Sequence, residues 1–114
     1  MPTPIIIGRG FNSYSDYTLL SSVTGPSTGN SSIAVPDYDR CSIQFVTNCV
    51  GNSTASIFME YSLDDVNYCN CTSFVGTSSL SCSMVFVEGR VTYLRARYDL
   101  TNNSTASVYT ISGN

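Results

Sequence analysis

Lysine, histidine and tryptophan are absent from this 114-residue chain, and charge of either sign is scarce. Each gap excludes something. Without histidine the commonest general base at neutral pH is missing, and a cysteine nucleophile has no imidazole partner. Charged residues make up 11% of the chain, less than half the share of about 25% in ordinary domains. Five Arg (Arg9, Arg40, Arg90, Arg95, Arg97) stand against eight acids, for a net charge of −3. No basic stripe is available to displace counterions, so nucleic acid is not an expected partner. No apolar run approaches the ~20 residues that span a bilayer, and a membrane is not expected either. Ile5-Ile6-Ile7 is short and has no basic region before it, so the start of the chain does not read as a secretory signal.

What is present suits one modest core. The length matches a single domain, and a hydrophobic share of 42%, with five Phe and eight Tyr, is enough apolar material to fill it. Ser, Thr, Asn and Tyr occupy positions that charge fills elsewhere. A free protein in a crowded cytosol carries more charge for solubility. The composition fits a protein packed against other surfaces, or a secreted or extracellular domain. Asn-x-Ser/Thr sequons at Asn30, Asn52, Asn70, Asn102 and Asn103 read as by-products of this composition.

The five cysteines are Cys41, Cys49, Cys69, Cys71 and Cys82. An odd number argues against a complete disulfide framework. Cys41 and Cys49 fall on one expected strand, about 26 Å apart at strand rise, out of disulfide reach. They read as small buried hydrophobes. Cys69-x-Cys71 with Cys82 lacks zinc spacing and a fourth ligand, so no metal is expected. A bond from Cys82 to Cys69 or Cys71 across a hairpin stays open.

Residues 1–16 read as an extended arm, because Pro2, Pro4, Gly8 and Gly10 oppose a helix. Within it Ile5-Ile6-Ile7 fits an edge strand of the parent sheet or strand addition to a neighbour. Residues 17–114 form the expected domain. Its β-rich runs are Tyr17–Val23, Ile33–Val35, Arg40–Thr47, Ala55–Ser62, Tyr68–Val75, Leu80–Val87, Val91–Tyr98 and Ala106–Ile111. Gly25–Ser32 reads as a loop, and Gly76–Ser79 as the turn of a hairpin. Alternation places Cys41, Ile43 and Phe45 on one face against Ser42 and Gln44. It places Ile57, Met59 and Tyr61 inward with Glu60 toward water, and Leu94, Ala96 and Tyr98 against Arg95 and Arg97. No helical periodicity appears. The expected fold is all-β: a two-sheet antiparallel sandwich, jelly-roll or immunoglobulin-like, with an extended N-terminal arm.

Two segments add a resemblance. Glu60-Tyr-Ser-Leu-Asp-Asp-Val-Asn-Tyr68 precedes Gly89-Arg-Val-Thr-Tyr-Leu-Arg-Ala-Arg-Tyr98. Together they resemble a β-sandwich module of tailed-phage structural proteins, in which a Glu-x-Ser-Leu-Asp-Gly-x-Asn-Trp-like turn precedes a Tyr-Leu-Arg-Ala-Arg-like strand. Val23-Thr-Gly, Val35–Phe45 and Thr105–Tyr109 fit the same pattern, which covers about residues 17 to 112. Asp65 stands where that module has Gly, and Tyr68 where it has Trp. Asp tolerates the left-handed backbone at small cost, and Tyr fills an aromatic slot. The resemblance implies a virion component: a capsid cement or decoration protein, or a tail-associated module.

No constellation for catalysis emerges, so an enzyme is not expected, nor any cofactor. Asp64-Asp65 reads as a turn and lacks further calcium ligands at regular spacing. Gly8-Arg-Gly10 has no phosphate-loop context. The leading expectation is a capsid cement protein on the outside of a shell, made in the host cytoplasm. Its partners would be the major capsid protein and itself, as dimer or trimer. Candidate partner-binding residues are Ile5, Ile6, Ile7, Arg9, Phe11, Tyr14 and Tyr17, with Arg95 and Arg97 on an outward strand face. For those two arginines, a solvated or internally paired strand face is the alternative. The competing expectation is a carbohydrate-binding or adhesive sandwich of a phage tail or extracellular protein, marked by exposed coplanar aromatics beside carboxylates.

Overall fold

Eight strands form along the chain in a computed structural model that describes residues 14–35, 40–88 and 92–113. They are β1 (Tyr14–Thr24), β2 (Ser27–Asn30), β3 (Arg40–Cys49), β4 (Ala55–Ser62), β5 (Cys69–Gly76), β6 (Ser81–Glu88), β7 (Tyr93–Leu100) and β8 (Ser104–Gly113). One sheet runs β1-β8-β3-β6 and the other β2-β7-β4-β5, with antiparallel pairing throughout. This is the two-sheet sandwich the alternation implies, and no helix lies among the described residues.

The pairing is nested. β4 pairs with β5, β3 with β6, β2 with β7 and β1 with β8. The chain is one long hairpin whose innermost turn is residues 63–68, rolled so that successive pairs fall in alternate sheets. Cross-pairings β3–β8 and β4–β7 seal each sheet. That order is a jelly roll. It corrects the hairpin expected at Gly76–Ser79: β5 and β6 lie in different sheets, and the segment between them crosses the sandwich. A Gly/Ser-rich turn says that the chain reverses, not that the flanking strands bond to each other.

Period-2 alternation fills the space between the sheets. Ile43, Phe45, Ile57, Met59, Ala96 and Val108 are fully buried there, with Leu20, Leu94 and Leu100 beside them. Phe45 of β3 stacks on Phe74 of β5, ring centroids 5.6 Å apart, and so ties one sheet to the other. Gly76 is required by close approach, since a Cβ there would meet the Thr47 hydroxyl at 2.0 Å. That hydroxyl is buried without a hydrogen-bond partner, a cost that valine of the same shape avoids. Thr47→Val is expected to raise the unfolding free energy by roughly 1 kcal/mol, read as a higher urea midpoint at unchanged slope.

Local expectations are corrected at four places. Gly25–Ser32 is not wholly loop: Ser27–Asn30 forms the short edge strand β2 against β7, while Ile33–Val35 contributes only a bridge, Ala34 to Leu94. An edge strand bonds on one side only, so turn-forming residues are tolerated in it. Tyr61 shares the inward register of Leu94 but is 37% exposed, one residue from the end of β4. The first strand also starts three residues earlier than the alternation implied, at Tyr14.

Candidate functional site

The two segments that carry the phage-module resemblance meet on the outer face of the β2-β7-β4-β5 sheet. Register sets Glu60 of β4 opposite Arg95 of β7, and Phe58 opposite Arg97. Directly opposed residues share a face, so both guanidiniums converge on one carboxylate. Arg95 Nε donates to Glu60 Oε1 at 2.9 Å and Arg97 Nε to Glu60 Oε2 at 3.3 Å. Glu60 therefore does not extend freely into water as the alternation implied. Its side chain is only 13% exposed, clamped between the two arginines. Arg97 lies over the Phe58 ring at 4.2 Å and Arg95 over the Tyr68 ring at 3.8 Å. Cation–π stacking fixes both planar heads and covers both aromatic faces.

Tyr68 closes the innermost turn. Its hydroxyl donates to the Asp65 carboxylate, and Asp65 adopts φ 60°, a left-handed conformation that Gly adopts more readily. Loss of water, then the bond to Asp65, push the Tyr68 phenol up to about 12. Asp64 organises the rest. Its carboxylate accepts from the backbone N–H of Val66 (3.0 Å) and Asn67 (2.8 Å), the Ser62 hydroxyl (2.8 Å) and the Asn67 amide (2.8 Å). Ser62 in turn accepts from the N–H of Asp64 and Asp65. The Asp64–Asp65 pair is thus a turn device, as the Asp/Asn content of this segment implies.

Those bonds to Asp64, first from the Asn67 and Val66 N–H groups, hold its carboxyl well below the usual carboxylate range. A depressed folded pKa stabilises the turn above the ordinary value of 3.8, and that support is lost as pH falls below it. The expected result is a cooperative shift of the Val66 and Asn67 amide resonances only under strongly acidic conditions. Asp64→Asn should abolish that titration. A normal aspartate titration at Asp64 would contradict the geometry.

The remaining candidates are placed as follows. Tyr14 opens β1 opposite Gly113. Tyr17 leans on the core, and its hydroxyl donates to the Val35 carbonyl at 3.1 Å. Ile5, Ile6, Ile7, Arg9 and Phe11 lie outside the described residues. All five cysteines are free thiols. Cys41 and Cys49 are buried on β3, and Cys69 and Cys82 are exposed on strands of different sheets. Burial pushes the Cys41 thiol up to about 11. Among the described residues no three His, Cys, Asp or Glu side chains cluster as metal ligands.

Sequence reasoning missed the exposed apolar positions. Leu63 and Val66 project from the turn at 72% and 78% exposure, and Leu80 and Phe86 stand out at 71% and 73%. The signal was present in Ser81–Glu88, where apolar residues occupy both alternate sets, more than one buried face needs. A shallow hollow of ≈ 280 Å³ beside the turn is lined by Tyr61, Ser62, Leu63, Asp64, Asn67 and Cys69.

No family model and no curated protein matches the chain. Among solved structures, the crystal structure of PBSX exported protein XepA is similar in fold. It superposes with a TM-score of 0.56 at 10% identity over 87% of this chain. The chain spans 37% of the length of that protein. At this identity the likeness speaks for the shared sandwich fold.

Proposed function

We propose that this chain is a non-catalytic structural protein of a phage particle, a cement protein that coats the outer capsid shell and bridges neighbouring capsid subunits. The observation that carries the reading is its exterior. A rigid sandwich with 11% charged residues presents Leu63, Val66, Leu80 and Phe86 to solvent, each more than two-thirds exposed. Isolated exposed apolar residues are ordinary, but so many with so little charge around them favour a protein that lives against other surfaces. The sequence resemblance to a tailed-phage module and the fold shared with phage-associated XepA support the same setting. A jelly roll serves both shell and lectin roles, so the fold alone does not choose between them.

The carbohydrate reading draws less support. It requires coplanar free aromatic faces, and Arg97 and Arg95 each cover one face of Phe58 and Tyr68, while Phe86, 73% exposed, lies on the other sheet, so these rings do not form one platform.

The mechanism is mechanical. Each copy adds backbone pairing at a sheet edge, apolar anchors and hydroxyl hydrogen bonds, and repetition over a lattice multiplies weak contacts into avidity. Copies act as dimers or trimers, and the N-terminal arm clamps the shell. The test pellets purified protein with intact shells and, separately, with detached tails of the same phage. Recovery with shells is expected. Recovery with tails alone moves the protein to the tail, and recovery with neither overturns the reading.

A further inference from the structure

A sandwich of two open sheets has four edges, and an unprotected edge invites another strand. Three of the four are blunted. β2 is only four residues long. β5 pairs with β4 through a register shift at Met59/Glu60. β1 carries two register shifts against β8, with Ser22 at φ 49°. β6 has none of these devices. It pairs with β3 in unbroken register from Arg40↔Glu88 to Thr47↔Ser81, and among the described residues nothing pairs with its other side. Its outer face carries Cys82, Met84 and Phe86, and its one charge, Glu88, stands at its end opposite Arg40 of the same copy.

We propose that β6 is a self-association edge: it pairs antiparallel with β6 of a second copy across a two-fold axis near Met84. The two β1-β8-β3-β6 sheets then join into one continuous eight-stranded sheet. Face matching requires that outward residues oppose outward residues. Centring the pair on Met84 satisfies this and sets Phe86 over the partner's Cys82, and Glu88 over the partner's Leu80. No like charges oppose each other, and the apolar stripe of each copy continues into that of the other. This self-complementarity, with no like charges opposed, makes a second copy the occupant the edge fits. An isologous contact of this kind closes on itself and leaves the other faces free.

The edge deepens the self-association in the function proposed above, but it is tested apart from shell binding. The full-length protein is expected to have twice its monomer mass in solution by light scattering. Met84→Lys and Met84→Glu, each alone, are expected to be monomers, because like charges then meet at the axis. An equimolar mixture of the two is expected to recover the dimer. Met84 is 39% exposed on a strand edge, so both variants are expected to fold, which a cooperative thermal transition and a wild-type circular dichroism spectrum check. A monomeric wild type, dimeric single variants or a mixture that stays monomeric each overturn the pairing. Ile6→Asp is expected to leave the dimer intact, and dissociation by that change would assign the edge to the N-terminal segment and overturn it as well. A dimer that ignores shells sinks the cement reading alone, and a monomer that binds them sinks the edge alone.

Discussion

Phe45→Ala is expected to lower the unfolding free energy by about 3–5 kcal/mol. Phe45 is fully buried at the centre of β3, between strands β6 and β8, and its ring stacks on Phe74 of the opposite sheet with an interplanar angle of 11°. Alanine removes both the buried ring and that stack. Strands paired on both sides cannot collapse far into the cavity, so relaxation offsets little of the loss. Domains of this size are stable by only about 5–15 kcal/mol, so the variant should sit near the edge of folding. Urea unfolding with unchanged slope and a much lower midpoint is the expected readout, with Phe45→Leu showing a smaller drop. A loss below ~1 kcal/mol would mean that the two sheets are not packed through this ring.

Removal of residues 1–13 is expected to abolish shell binding while leaving the sandwich folded. The cut is placed by structure: Tyr14 is the first residue of β1 and pairs with Gly113, so the deletion spares all eight strands of the described residues. Among the described residues the core runs from Leu19 to Ile111, downstream of the cut. The thermal midpoint of the truncated protein should therefore match that of the full chain. The segment lost contains Ile5, Ile6, Ile7, Arg9 and Phe11, a run suited to adding a strand to a neighbouring subunit. If the truncated protein occupies shells as fully as the intact one, the arm has no clamping role.

Much of the fold was legible because strand alternation is a local signal. Ile43 and Phe45, Ile57 and Met59, and Leu94 and Ala96 are buried as their period-2 spacing implies. What escaped was non-local. Whether β5 bonds to β6 or crosses to the other sheet depends on partners tens of residues away, and the Gly76–Ser79 segment is compatible with both. β2 escaped because its Ser-Thr-Gly-Asn sequence has turn chemistry, and only pairing with β7 makes it a strand. The Glu60 clamp was half legible. The outward placement of Arg95 and Arg97 followed from alternation, but their convergence on Glu60 needed the β4–β7 register. The left-handed backbone at Asp65 was readable from the Asp/Asn-rich turn chemistry, and the structure places it there at φ 60°. The exposed apolar residues of β6 were visible as residues but not as surface, since nothing in the sequence says which of two apolar faces is buried.

The central claim is adhesion by backbone pairing and apolar contact with little help from charge. Salt separates that mechanism from an electrostatic one, because exposed charge pairs are largely screened when ionic strength rises from roughly 0.1 to 1 M while apolar burial is not weakened. The decisive measurement is the occupancy of intact shells by the full-length protein at those two ionic strengths. Saturable binding at a fixed copy number per shell, undiminished at the higher salt, is the predicted result. Protein that stays in the supernatant at low salt, or that washes off the shells at high salt, would contradict it.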